Sequence, residues 1–157
     1  MTVNIGLTSD QLKGSVAVLN QLLADEFALY VKARKYHWNV TGMQFHDLHK
    51  FFESIYEDLD VIVDDIAERT RALGSFAPGT LTEFCAATKI KENPGKVPAH
   101  TEMIKDLLED HEQLIRETAV SIKKVDEELE DVGTADFLTG IMERQAKTAW
   151  MLRSMIS

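Results

Sequence analysis

Apolar residues in this chain recur three and four positions apart over long stretches, the period of helices that bury one face. Leu12, Val16, Leu19, Leu23, Phe27 and Tyr30 trace the first stripe, and Thr8 with Gln11 three residues on makes a capping box. The spacing predicts a helix from about Ser9 to about Asn39. Gly42 breaks the pattern. A second stripe begins near Met43 and runs through Leu48, Phe52, Ile55, Leu59, Ile62, Ile66 and Leu73, with Gly74 placed to end it.

All three prolines, Pro78, Pro94 and Pro98, fall between Ser75 and Ala99, so the helix breakers are confined to the middle of the chain. Within that stretch Thr80 and Glu83 form another capping box, which predicts a short helix from about Leu81 to Ala87. A third long helix is expected from about Thr101 to Glu130, burying Met103, Leu107, Leu114, Ile122, Val125 and Leu129 and ending at Gly133. A fourth is expected from about Ala135 to Ile156, with Leu138, Ile141, Ala149 and Leu152 inward. Two helical hairpins joined by a long crossover make an all-α, ferritin-like four-helix bundle with a short extra helix between the second and third. A bundle with no site at all has the same pattern, because fold does not imply function.

Composition narrows the field. A chain of 157 residues, 45% hydrophobic, can bury one core, and a single domain over residues 1–157 is expected. No window reaches a membrane span and the N-terminus lacks a signal-peptide pattern, so a cytoplasmic protein is expected. A lone cysteine, Cys85, offers neither an intrachain disulfide nor a thiolate cluster and reads as a reduced, inert thiol. The net charge of -9 disfavours nucleic acid and suits a protein that handles cations.

The chemistry is concentrated between Lys35 and Arg69. His37 closes the first helix, and on the second His49, Glu53, Glu57, Asp60, Asp64 and Glu68 stay within a stripe about 100° wide. A run of acids is commonly a solvated face, but this one starts with a histidine and lies beside an apolar stripe. Imidazole with carboxylate suits iron(II), zinc or manganese. His49 and Asp64 are separated by about 22 Å of helix, so they cannot share an ion within one chain. A twofold-related antiparallel copy would bring the histidine end of one subunit onto the Asp64 and Glu68 end of the other, giving two equivalent sites per dimer. The Glu-x-x-His motif of intrasubunit di-iron bundles occurs nowhere in the chain, which argues against a centre of that type.

At these residues the sequence resembles the Dps mini-ferritins, the DNA-binding proteins from starved cells. His37, Trp38, Gly42, Phe45 and His49, followed by Asp64, Glu68 and Arg69, reproduce that family's signature, and the resemblance spans essentially the whole chain. It implies a hollow homo-dodecamer in which intersubunit ferroxidase sites oxidise Fe(II), with hydrogen peroxide usually preferred to dioxygen, and the ferric product is stored as mineral. It further implies that His37 and His49 come from one subunit and Asp64 and Glu68 from its partner, with Glu68 bridging two iron positions. Glu53 stands where members commonly carry Asp. Trp38 would lie beside the site and absorb a stray oxidising equivalent; a core tryptophan at a helix end is the plainer reading.

His46 and His111 both read as surface histidines, His46 with the alternative of assisting iron entry. Asp126, Asp131 and Asp136 resemble the acids of the family's threefold iron-entry pore, although solvated acids at helix ends are a serious alternative. The rival function is a chromosome-compacting DNA-binding protein with secondary iron chemistry. DNA binding in the family often uses a flexible basic tail. About eight residues precede the first helix, none of them Lys or Arg, and the C-terminus offers no extended basic tail, so weak or absent DNA binding is expected.

Overall fold

The computed structural model describes residues 3–157, whose regular elements are all helical. Helix α1 spans Ser9–Asn39, α2 Phe45–Ala72, α3 Leu81–Ala87, α4 His100–Lys123 and α5 Val132–Ser154. Both capping boxes form: Thr8 N–H donates to Gln11 Oε1 at 2.8 Å, and Thr80 N–H to Glu83 Oε2 at 2.9 Å. Each satisfies backbone donors that the first turn of a helix leaves unpaired.

Helix α1 packs along α2 and α4 along α5, so the two hairpins face each other across the crossover that carries α3. Leu19, Leu23, Phe52, Ile66, Leu107 and Leu138 are among the fully buried side chains of one continuous core. Met43, expected at the start of the second stripe, instead lies fully exposed in the turn before α2. Gly42 makes that turn with a φ of +110°, and Gly74 ends α2 with a φ of +89°, conformations that cost a residue with a Cβ dearly.

The expected boundary between the third and fourth long helices is corrected. After Lys123 the backbone widens into a π turn over Lys124–Glu128, where Leu129 N–H bonds to Lys124 O at 3.2 Å. The chain then reverses at Glu130, a non-glycine residue with a φ of +53°. Gly133, expected to end the third helix, instead lies in the first turn of α5. The physical reason is Asp131, whose Oδ1 accepts from Thr134 N–H at 3.0 Å and so starts α5 before the glycine is reached. No helix among the described residues is long and apolar enough to cross a membrane.

Candidate metal centre

His37 sits in the last turn of α1 and His49 near the start of α2, and the Gly42 turn folds one back onto the other. Their rings stack with centroids 3.8 Å apart and planes inclined by 21°. His37 Nδ1 lies 2.8 Å from the carbonyl oxygen of His49, and His49 Nδ1 lies 2.9 Å from the carbonyl oxygen of His37. A carbonyl only accepts, so each Nδ1 carries the hydrogen and, in a neutral ring, each Nε2 keeps a free lone pair. That is the tautomer a metal-ligating histidine needs. The bond to His37 O also satisfies a carbonyl at the end of α1, where no following helical turn supplies a partner.

Aromatic rings hold the pair from both sides. Phe45 stacks on His49 at 5.1 Å, and Tyr56 presents itself to His37 at 5.2 Å in an edge arrangement. The Arg34 guanidinium lies 4.5 Å from the Tyr56 ring centre and 5.7 Å from that of Trp38. Such cation–π contacts tie Trp38 to the ring that faces His37. Trp38 itself is 66% exposed, so the plainer reading of it as a core residue is set aside.

Glu53 follows one turn after His49. Its carboxylate accepts from Lys50 Nζ at 2.6 Å, and that bond holds it below the usual range for a glutamate. Asp64 and Glu68 stand exposed further along α2, with Glu57 and Asp60 between. Fifteen residues of helix, about 22 Å, separate Asp64 from His49, and among the described residues no trio of metal-binding side chains converges in one chain. The histidine pair, which joins α1 to the start of α2, and the acidic pair therefore lie at opposite ends of α2.

Arg69, which follows Glu68, turns away from this face. It donates to Thr134 Oγ1 at 2.9 Å and pairs with Asp131 at 3.5 Å, joining the end of α2 to the start of α5. Asp131 is 3% exposed, with its carboxylate occupied by Thr134 and Arg69, whereas Asp126 and Asp136 are exposed. Of the three acids read as a pore, Asp131 thus has a capping task that the sequence reading missed. Its signal was present, an acid three residues before Thr134.

His46 is exposed, as expected of a surface histidine. For His111 the expectation is corrected, because the ring is 1% exposed and its Nδ1 is bonded to Gln145 Oε1 in the bundle core. Flanking acids suggested solvent, but His111 continues the buried face that runs through Leu107 and Leu114 at spacings of three and four.

The ferritin-like domain family matches residues 16–157. A low temperature-induced protein of Nostoc sp. (strain PCC 7120) is 48% identical over 98% of this chain and 86% of its own length. DNA protection during starvation protein 2 of Bacillus anthracis is 32% identical over 92% of this chain and 98% of its own length. Among solved structures, DpsC from Streptomyces coelicolor superposes with a TM-score of 0.95 at 28% identity, covering 100% of this chain and 91% of that one. The histidine pair, the bundle that carries it and these likenesses agree, and the chain belongs to the Dps mini-ferritins of the ferritin-like family.

Proposed function

We propose that the protein oxidises ferrous iron at sites shared between twofold-related subunits and stores the ferric product inside a closed twelve-subunit shell. The observation that carries this reading is the reciprocal Nδ1 bonding of His37 and His49, which leaves an Nε2 lone pair free on each ring for a transition metal without a further change of tautomer. Asp64 and Glu68 of a neighbouring subunit supply the carboxylates, and Glu53 supplements them from the histidine side. Carboxylates neutralise the iron charge and favour its ferric state, while imidazoles add direction to the coordination. Hydrogen peroxide is the proposed oxidant. Trp38, held through Arg34 and Tyr56 beside His37, takes up an oxidising equivalent that escapes the site. The exposed Asp126 and Asp136 attract cations to the entrance of the shell.

DNA protection, after which the Bacillus anthracis relative is named, is the second reading. A net charge of -9 opposes direct DNA binding, so protection here is proposed to act through removal of iron and peroxide.

Complementation tests the shared site. A variant lacking His37 and His49 and a variant lacking Asp64 and Glu68 should each fail to oxidise Fe(II) rapidly. Co-assembled at random, half of the interfaces are mixed and each regains one of two sites, so about a quarter of parental activity returns. Verified mixed shells that stay inactive would defeat the intersubunit reading.

A further inference from the structure

The crossover between the two hairpins covers only part of the groove that α1 and α4 form between them. These helices run antiparallel, since Gly14 approaches Leu129 while Lys32 pairs with Asp110. On the Lys32 side the crossover closes the groove: Ile90 is buried, and Lys35 Nζ donates to Asn93 O at 2.7 Å. Past Lys89, toward Gly14, the groove is open among the described residues and encloses about 580 Å³, within the range of pockets that take small molecules. Its floor is apolar. Val18 and Leu22 line it from α1 and Leu114 and Val120 from α4, with Val120 left 69% exposed.

Three cations, Lys89, Arg116 and Lys124, and two acids, Asp25 and Glu117, share that lining, on a chain whose net charge is -9. Both acids are occupied by the fold. Asp25 accepts from Gln21 Nε2 at 2.9 Å, from Thr88 Oγ1 at 3.0 Å and from Lys89 N–H at 2.6 Å, which fastens the crossover to α1. Glu117 accepts from Lys89 Nζ at 2.8 Å and from Gln113 Nε2 at 3.1 Å. Arg116 and Lys124 form no ion pair among the described residues, so the charge left without a partner in the groove is positive. The two cations are not equivalent. Antiparallel register puts Arg116 at the end that holds Asp25 and Glu117, whose charges damp its field. Lys124, eight residues or about 12 Å further along the same helix, lies at the Val18 end, where no acid joins the lining and Ser121 adds a hydroxyl.

We infer that the open part of the α1–α4 groove binds an amphipathic monocarboxylate, an unbranched aliphatic acid of medium length, with its carboxylate at Lys124 and Ser121 and its tail over Val18, Leu22, Leu114 and Val120. One unopposed ammonium with one hydroxyl matches a single negative charge, and a dianion would keep charge unpaired. An apolar floor about 12 Å long rewards a hydrocarbon tail, whereas a sugar or nucleotide would lose its hydrogen bonds to water there. The groove lies toward the opposite end of α1 from His37, so the inference stands independently of the proposed ferroxidase.

Decanoate is the probe, titrated by calorimetry into assembled full-length shells below its micelle concentration. One decanoate per subunit is expected, with affinity rising by up to about fourfold for each CH₂ added between hexanoate and decanoate. K124A should weaken decanoate binding by about threefold to tenfold, the effect of an ion pair partly open to water, and K124R should restore it. The uncharged 1-decanol should bind parent and K124A alike, and V120D, which sets a carboxylate in the apolar lining, should abolish binding of the acid. In crystals grown with 10-bromodecanoate, bromine anomalous density is expected over Leu22 and Leu114. No binding to assembled shells, affinity independent of chain length, equal decanoate affinity in parent and K124A, or bromine density only elsewhere would overturn the inference. The bromine map of the parent protein decides the matter even should a variant fail to assemble. Fe(II) oxidation by K124A should match the parent, and its rate reports separately on the interface centre.

Discussion

His37 and His49 fix each other's tautomer, each donating Nδ1–H to the other's backbone carbonyl at 2.8 and 2.9 Å. The pair is a structural clasp between the end of α1 and the start of α2 as well as the proposed set of two ligands. Replacing either residue therefore acts on both. His37→Ala should lower stability by about 1–3 kcal/mol, the range for losing such bonds and leaving a carbonyl unpaired. It should also remove rapid Fe(II) oxidation. Urea unfolding and stopped-flow oxidation on assembled shells check the two effects, and unchanged stability would show that the clasp contributes nothing.

The buried carboxyl of Glu26 makes a pH-dependent prediction for metal-free shells. Burial raises its folded pKa from 4.5 to about 8, so the folded chain holds a proton that the unfolded chain has released between those values. The associated stability is fully present below pH 4.5 and is lost as pH rises to about 8, at a limiting slope of about 1.4 kcal/mol per pH unit. Glu26→Gln carries no such proton. The variant should gain on the parent protein steadily across that window, and parallel stability curves by chemical denaturation would contradict the burial argument.

Asp131 starts α5 and accepts from Arg69 of α2. Asp131→Ala should cost about 2 kcal/mol, the upper part of the range for an N-cap, because it also leaves the Arg69 guanidinium without its carboxylate. Asn retains an oxygen that can accept from Thr134 N–H. Thermal unfolding should accordingly rank parent above Asp131→Asn and Asp131→Asn above Asp131→Ala.

Net charge governs the expectation for DNA. At neutral pH and moderate salt, assembled shells should leave plasmid DNA unretarded in a gel, since -9 per chain repels the phosphate backbone. A shift that fades as salt rises would instead reveal a basic patch strong enough to act against the overall charge.

Much of this architecture was legible in the chain because its signals are local. The Thr8–Gln11 and Thr80–Glu83 boxes set the starts of α1 and α3, and the spacing of Leu48, Phe52, Ile55 and Leu59 gave the buried face of α2. His37 and His49 were placed together in one subunit by the family resemblance that their signature carries. Other features depend on neighbours remote in sequence. His111 is bonded in the core by Gln145, 34 positions away, and its acidic flanks pointed the wrong way. Tyr56 and Arg34 beside the histidines were likewise invisible, since an aromatic on a helix carries no mark of which ring it will meet. Glycine was a misleading guide at the α4 to α5 junction, where Glu130 takes the left-handed position and an aspartate cap outranks Gly133.

The π turn at Lys124–Glu128 has a consequence for chain length. A turn of this width is an α-helix that has absorbed one surplus residue. Deleting a residue there would let the segment tighten into ordinary helix with the chain beyond it nearly in register, whereas inserting a further residue would turn everything beyond it by about 100°. With such an insertion Asp131 would miss Arg69, and the inward face of α5 would swing away from the other helices. At this junction the number of residues, more than the identity of the exposed ones, carries the geometric instruction: substitutions at Lys124, Asp126, Glu127 and Glu128, and a one-residue deletion, should be tolerated where a one-residue insertion is not.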